Sequence, residues 1–345
     1  MKMLLITGVT GFLGGAVLEK ILTSDQPAKL LLLARASDPQ SGLERVLENM
    51  RKFNVPEDKL ASLKVDNILI GDLSQPEAFL NDPRLDRVTH VVNCAAVASF
   101  GNNPLIWKVN VEGTLALARR MEQVTGLQRF LHVGTAMSCT PEQDSLVAES
   151  AEFRENLPLL IARPSIVVGH TRHGCTPSSS IFWVFSMGLM LQKFMCSMED
   201  RIDVVPVDYC ADAMLMLLNS NARPGEVVHI SAGEENSVRF ADIDQAMAQA
   251  LEKAPVGDKY AQVSYETLVR MRRELKHIFG PCNERLMLKA MRLYGAFATL
   301  NVRFSNDKLL SMGMPKPPRF TDYIARCVQT TQGLTIPEQM AVDFK

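Results

Sequence analysis

Seven short apolar runs recur along the first two thirds of the chain: KMLLITG, KLLLLAR, VDNILIGDL, THVVNCAA, RFLHVGT, LPLLIARPSIVVG and EVVHISAG. A strand that is apolar at nearly every position is buried on both faces, and a sheet buried on both faces is covered by helices. Helical patterns fall between the runs, at Phe12 to Leu22, Gly42 to Phe53, Pro104 to Gln123 and Asp208 to Leu218. The alternation predicts an α/β, Rossmann-like, doubly wound parallel sheet. After about Gly233 the strand-like runs stop, and patterns such as ADIDQAMAQALEK and ETLVRMRRELKHI take over. Residues 1–232 therefore read as the α/β domain and 233–345 as a smaller, mostly helical region.

With 345 residues, 47% of them apolar, the chain can bury a large core. Its net charge of −1 gives no global field for nucleic acid or an anionic membrane. Strand-like sequence starts at Met3, so no signal peptide is expected, and seven cysteines without framework spacing suit reduced thiols. Both point to a cytoplasmic protein. The longest apolar run, Ile181 to Leu191, is too short to span a bilayer and reads as a buried helix lining an apolar channel.

The first strand runs directly into ITGVTGFLGG, with Gly8, Gly11 and Gly14 at G-x-x-G-x-x-G spacing before the first helix. Glycines let a backbone turn tightly against a pyrophosphate, whose charge the free amides of a helix N-terminus stabilise. Strand before and helix after make this a dinucleotide-binding turn, formed by Thr7, Gly8, Thr10, Gly11, Phe12, Leu13 and Gly14. Where an NAD enzyme places an acid after the second strand, this chain has Arg35. A guanidinium there binds a 2′-phosphate, so NADPH is the expected cofactor. Arg45, read as starting the next helix, is a second candidate for that phosphate. Asp72 and Leu73, after the third strand, are candidates for the adenine, with an Asp72 turn as the alternative. Ala95 and Ala96, after the fourth, leave room for the cofactor to cross the sheet edge.

Assembled, these pieces resemble the extended short-chain dehydrogenase/reductase superfamily, whose glycine motif is here TGVTGFLG and whose helix signature is NVEGT at Asn110 to Thr114. Within it the chain is most similar to fatty acyl-CoA reductases and carrier-protein thioester reductases, through LLARAS with ERV, GDLSQPEAF, HVGTAMS, ARPSIVVGH and DVVPVDYCADAM. The resemblance covers residues 3 to 232. It implies that Thr135 is the catalytic hydroxyl and that Pro164, Ser165, Ile166 and Val167 line the nicotinamide. Asn110 would hold its helix by side-chain to backbone bonds. Residues 171–200 would lie on the substrate side. The implied activity is reduction of an acyl-CoA or carrier-protein thioester to aldehyde or alcohol. Ketone/alcohol or nucleotide-sugar chemistry on the same fold is the second reading, and an inactive NADPH-binding protein the third.

The family's proton donor is a tyrosine followed four residues later by a lysine, whose charge lowers the phenol's pKa. Tyr209, Tyr260, Tyr265, Tyr294 and Tyr323 are followed at that spacing by Ala213, Ser264, Val269, Ala298 and Cys327, so the pair is absent. The segment Ala136 to Asn156 carries few large apolar residues and five acids. It reads as a loop leading to a helix that never arrives, with Glu149 resembling the acid before the family's tyrosine helix. The expectation is that a helix bearing both residues belongs between about Arg154 and Leu157. The rival is a true deletion.

Three further stretches carry weaker patterns. GHTRHGC gathers His170, His173 and Cys175, but no partner pair has ligand spacing, so no metal site is expected. Asp208 is expected to cap the following helix. SMGMPKPPRF, from Ser311, reads as a break before a final helix through TDYIARCV.

Overall fold

All seven apolar runs become strands of one sheet in the computed structural model, which describes residues 2–24, 28–98, 103–138, 141–149 and 157–343. The strands are β1 Met3–Thr7, β2 Lys29–Ala34, β3 Ile68–Ile70, β4 His90–Asn93, β5 Arg129–Val133, β6 Leu159–Pro164 and β7 Val227–Ile230. Their spatial order is β3-β2-β1-β4-β5-β6-β7, with every neighbouring pair parallel. The chain reverses its winding between β1 and β4, the switch point where open α/β sheets bind ligands at the carboxyl ends of the strands.

Side-chain alternation gives the sheet two apolar faces. Leu4, Ile6, Leu32, Leu131 and Leu160 pack under α1 (Phe12–Thr23), α2 (Pro39–Lys52) and the later helix Val207–Asn219. Leu5, Leu31, Phe130, Leu159 and Ile161 face the other way, against Leu117 and Met121 of α3 (Thr114–Glu122). The predicted helix Pro104 to Gln123 is thus present but interrupted, with a π-helical stretch at Lys108–Gly113. Such bulges concentrate at functional sites. α2 starts three residues before the expected Gly42 because Asp38 caps it with Ser41, and Pro39 fits the first helical position.

Among connections between neighbouring strands, one departs from the rest. Neighbouring parallel strands need a connection of a dozen or more residues, usually a helix. Between β5 and β6 the described residues hold a 3₁₀ turn at Ala136–Ser138 and a two-residue strand at Leu146–Val147, with no α-helix. The expected position of the tyrosine helix, Arg154 to Leu157, lies outside the described residues as far as Asn156. The described part leads toward the C-terminal region. Leu146–Val147 pairs with Arg303–Phe304, and the Glu149 carboxylate accepts from the backbone N–H of His229 at 2.7 Å and of Lys308 at 3.0 Å.

Helices dominate the rest of the chain. α4 (Phe182–Leu191) is buried, α5 is Val207–Asn219, and α6 (Phe240–Ala250), α7 (Glu284–Ala298) and α8 (Phe320–Thr331) pack beyond the sheet. Two expectations need correction here. TDYIARCV lies in α8, but α9 (Ile336–Asp343) follows it. Asp208 does not cap α5: it sits inside the helix, behind Pro206, and its carboxylate accepts from the Thr171 backbone N–H at 3.1 Å and from the Thr171 hydroxyl. It fastens a loop instead of a helix end. No described helix is long and apolar enough to cross a membrane.

Candidate active site

The glycine turn has no spare room. Gly8 has φ +69°, and a Cβ there would stand 2.8 Å from the Ala95 nitrogen; one on Gly14 would stand 2.4 Å from the Gly8 oxygen. Side chains at either place would push the turn off the sheet edge. Gly11 precedes α1 without any side-chain cap, so the first amides of the helix remain for a ligand anion. This is a cradle that fits a pyrophosphate.

At the end of β2 the structure brings together three of the residues singled out in the sequence. The Arg45 guanidinium donates to the Arg35 backbone carbonyl, and the Arg35 guanidinium lies 3.9 Å from the Asp72 carboxylate while its side chain stays 68% exposed. Arg45 belongs to the second turn of α2 rather than its start, because the helix begins at Pro39. Asp72 is committed to a turn, accepting from the Ser74 N–H at 2.8 Å. Asp38, the nearest other acid in sequence, is committed to the α2 cap: the Ser41 N–H and the Ser37 and Ser41 hydroxyls hold its carboxyl down to about 2. Both carboxylates are engaged, and two guanidinium-bearing residues meet at the end of β2. Leu73 is corrected: its side chain is 3% exposed, in the core under α3, so it offers no side-chain contact to a cofactor. Pro164 is likewise buried at the end of β6.

A cavity of about 860 Å³ opens from the glycine turn. Gly8, Gly11, Phe12, Leu13 and Gly14 line its near end; Ala95, Ala96, Thr135, Ser165, Ile166 and Val167 line the middle. Thr135 is exposed to it, and its hydroxyl oxygen accepts from the Met137 N–H at 3.2 Å, which leaves the hydroxyl proton for a ligand oxygen. Asn110 also borders the cavity, but both amide atoms are spent on Val97, accepting from its N–H at 2.7 Å and donating to its carbonyl at 3.1 Å. It is structural, as read from the sequence. Beyond Thr135 the walls become Val184, Phe185, Leu189, Phe194, Phe240 and Phe297. Among the described residues, no Asp, Glu, Lys or Arg lines the cavity. Cys94 is no nucleophile there, since burial pushes its thiol up to about 12.

Sequence reasoning missed a polar chain beneath this cavity. The Ala95 N–H donates to the Thr7 hydroxyl at 3.0 Å, the Thr7 hydroxyl to the Asn93 carbonyl oxygen at 2.6 Å, and the Asn93 amide meets His132 Nδ1 at 3.2 Å. Thr7 is fully buried by this role and touches no ligand space. The available hint was an Asn and a His inside otherwise apolar strands, NCAA and LHVGT.

GHTRHGC has a partner the sequence did not reveal. Glu19 of α1, 1% exposed, lies 3.4 Å from His170 Nε2, 3.8 Å from His173 Nε2 and 3.1 Å from the Arg172 guanidinium. His170 Nδ1 accepts from the backbone N–H of Arg172 at 3.0 Å and of His173 at 3.3 Å, so its proton sits on Nε2, facing Glu19. A metal would need that lone pair. The cluster pins the loop to α1.

A sheet with this switch point, glycine cradle and strand-end hydroxyl defines a Rossmann-type oxidoreductase that uses a nicotinamide dinucleotide. The profile of the Male sterility protein family matches residues 6–153 and 144–214, and the chain belongs to that family. Its two matches meet at residues 144–153, inside the β5–β6 crossover. A probable fatty acyl-CoA reductase 5 of Arabidopsis thaliana is 22% identical over 368 positions, covering 78% of this chain and 74% of the relative. Since 78% of 345 residues is about 269, roughly a hundred aligned positions hold residues that the relative has and this chain lacks. The chain spans about a quarter of the length of two fungal relatives. Among solved structures, the terminal R domain of the myxalamid biosynthetic pathway has a TM-score of 0.71 at 18% identity, covering 96% of this chain and 90% of that one. A thiolation-reductase di-domain from an archaeal non-ribosomal peptide synthetase has 0.67 at 17%, covering 100% and 91%. At such identities the likeness is one of fold.

Proposed function

We propose that the chain is an NADPH-dependent reductase of acyl thioesters, carried on CoA or on a carrier protein. The observation that carries this reading is one cavity in which the glycine turn, the Thr135 hydroxyl and a long uncharged aromatic and aliphatic chamber are continuous. The names of the plant reductase and of the thiolation-reductase structure support the thioester. Arg35 and Arg45 support the phosphorylated dinucleotide, because no uncommitted carboxylate among the described residues nearby could take ribose hydroxyls in their place.

When bound, the nicotinamide would supply a hydride. Thr135 would donate its free proton in a hydrogen bond to the carbonyl oxygen as that oxygen becomes negative. The chamber wall excludes water from the acyl chain, and the thioester carbon then sheds its thiolate as the C–S bond breaks. That collapse leaves an aldehyde without a tyrosine having to protonate the oxygen.

The test is NADPH oxidation with a medium-chain acyl-CoA, a small ketone and a nucleotide sugar in parallel. Turnover with the acyl-CoA alone is expected, and Thr135→Val should lower kcat about 10²-fold with NADPH affinity unchanged. Turnover with only the ketone or the sugar would overturn the substrate class; tight NADPH binding without any turnover would support a binding-only protein.

A further inference from the structure

Among the described residues, the part of the cavity between the broken helix and β5 is bordered by Ile106, Asn110, Thr114, His132 and Thr135. His132 points to the same sheet face as Phe130, the face of α3, where the β5–β6 crossover lays down no helix among the described residues. Its side chain borders the cavity.

The hydrogen-bond chain fixes which nitrogen carries the proton. The Thr7 hydroxyl accepts from the Ala95 N–H and donates to the Asn93 side-chain carbonyl oxygen, which turns the Asn93 amide nitrogen toward His132. The Asn93 amide nitrogen then donates to His132 Nδ1. A neutral imidazole whose Nδ1 accepts bears its proton on Nε2. Burial holds the ring below the usual histidine range, so it is neutral at pH 7. Its Nε2–H finds no acceptor in the protein among the hydrogen bonds of the described residues. The neighbouring polar groups are spent: Asn110 on Val97, and the Thr114 hydroxyl on the Val109 carbonyl.

We propose that His132 is a catalytic hydrogen-bond donor, its Nε2–H and the Thr135 hydroxyl together stabilising the negative oxygen of the thioester under reduction. The strand ends at Val133, so the chain leaves its extended course before Thr135, and both side chains border the same cavity. A neutral imidazole fits this role because it polarises a carbonyl without carrying charge into an apolar chamber. Thr7 and Asn93 are positioning residues. The proposal rests on the thioester reading above.

The full chain is tested as wild type, His132→Leu and His132→Gln, with NADPH affinity read by fluorescence and the ring's tautomer by nitrogen NMR on unliganded protein. The expected spectrum is that of the Nε2–H tautomer. His132→Leu should lower kcat for acyl-CoA about 10²-fold while NADPH affinity and KM stay within about twofold. His132→Gln, whose amide N–H reaches the same region, should recover most of the loss, which a merely structural histidine would not predict. A proton on Nδ1, or wild-type kcat in His132→Leu, overturns the assignment and leaves the thioester reading standing. A wild type that binds NADPH and turns over no acyl-CoA overturns both.

Discussion

The two faces of the sheet are closed in different ways. Over β1, β2 and the first halves of β4 and β5, helices α1, α2 and α5 leave Ile6, Leu32 and Leu131 fully buried, and the glycine turn rides on that rigid base. The opposite face has α3 and then, toward β6 and β7, a crossover without an α-helix among the described residues. There Trp107, Val111 and Leu115, four residues apart, are 64%, 39% and 45% exposed. The glycine cradle sits over the closed side, and the overlap of the two family matches, residues 144–153, falls in the crossover of the open side. A tightly packed base allows little substitution, whereas an open flank tolerates change but leaves chemistry to fewer groups.

Breaking the closed side should have the largest effect. Gly14→Val would drive a branched side chain into the Gly8 backbone and should weaken NADPH binding more than about 100-fold in a fluorescence titration. An unchanged Kd would mean the pyrophosphate lies elsewhere. Arg35→Asp tests the same side more gently. Loss of a charge-assisted pair is worth about 1.5–3 kcal/mol, so the NADPH-to-NADH preference should fall about 10- to 100-fold; a preference that stays put would remove Arg35 from the site.

A third test addresses the seam where the open side meets the C-terminal region. His229 donates its backbone N–H to Glu149, and burial holds its ring at about 4. The unfolded chain takes up this proton near pH 6.5 and the fold only near 4, so acidification through that window costs stability, on the order of 2–3 kcal/mol. Asp203, pushed up to about 6 by burial, works in the opposite sense, since the fold binds its proton before the unfolded chain does. Comparing His229→Gln with the wild type isolates the first effect: urea stability of the variant should fall less between pH 6.5 and 4. The smallest expected change is at Leu115. Leu115→Glu should shift stability by less than about 0.5 kcal/mol, and a larger loss would mean that the exposed row is covered in solution.

What the sequence discloses follows from what backbone and neighbours dictate. The seven strands were legible because burial on both faces demands unbroken apolar runs, and the glycine turn because a Cβ at Gly8 or Gly14 meets backbone. Thr135 and Arg35 were legible as residues at strand ends. The Thr7–Asn93–His132 chain was not, since its members lie 86 and 39 residues apart and meet only through strand register. Glu19 escaped notice because nothing local separates a buried acid on a helix from a solvated one; its partners stand more than 150 positions away. Asp208 misled because an acid at a helix start usually caps it, and here the Thr171 loop took the carboxylate first.

The most direct measurement uses polypeptide whose intact mass has been checked against 38.3 kDa, mixed with NADPH and a medium-chain acyl-CoA, with aldehyde and free thiol both quantified. One aldehyde and one thiol for each NADPH consumed is the expected result. NADPH held tightly by a chain of that mass, with neither product formed, would contradict it.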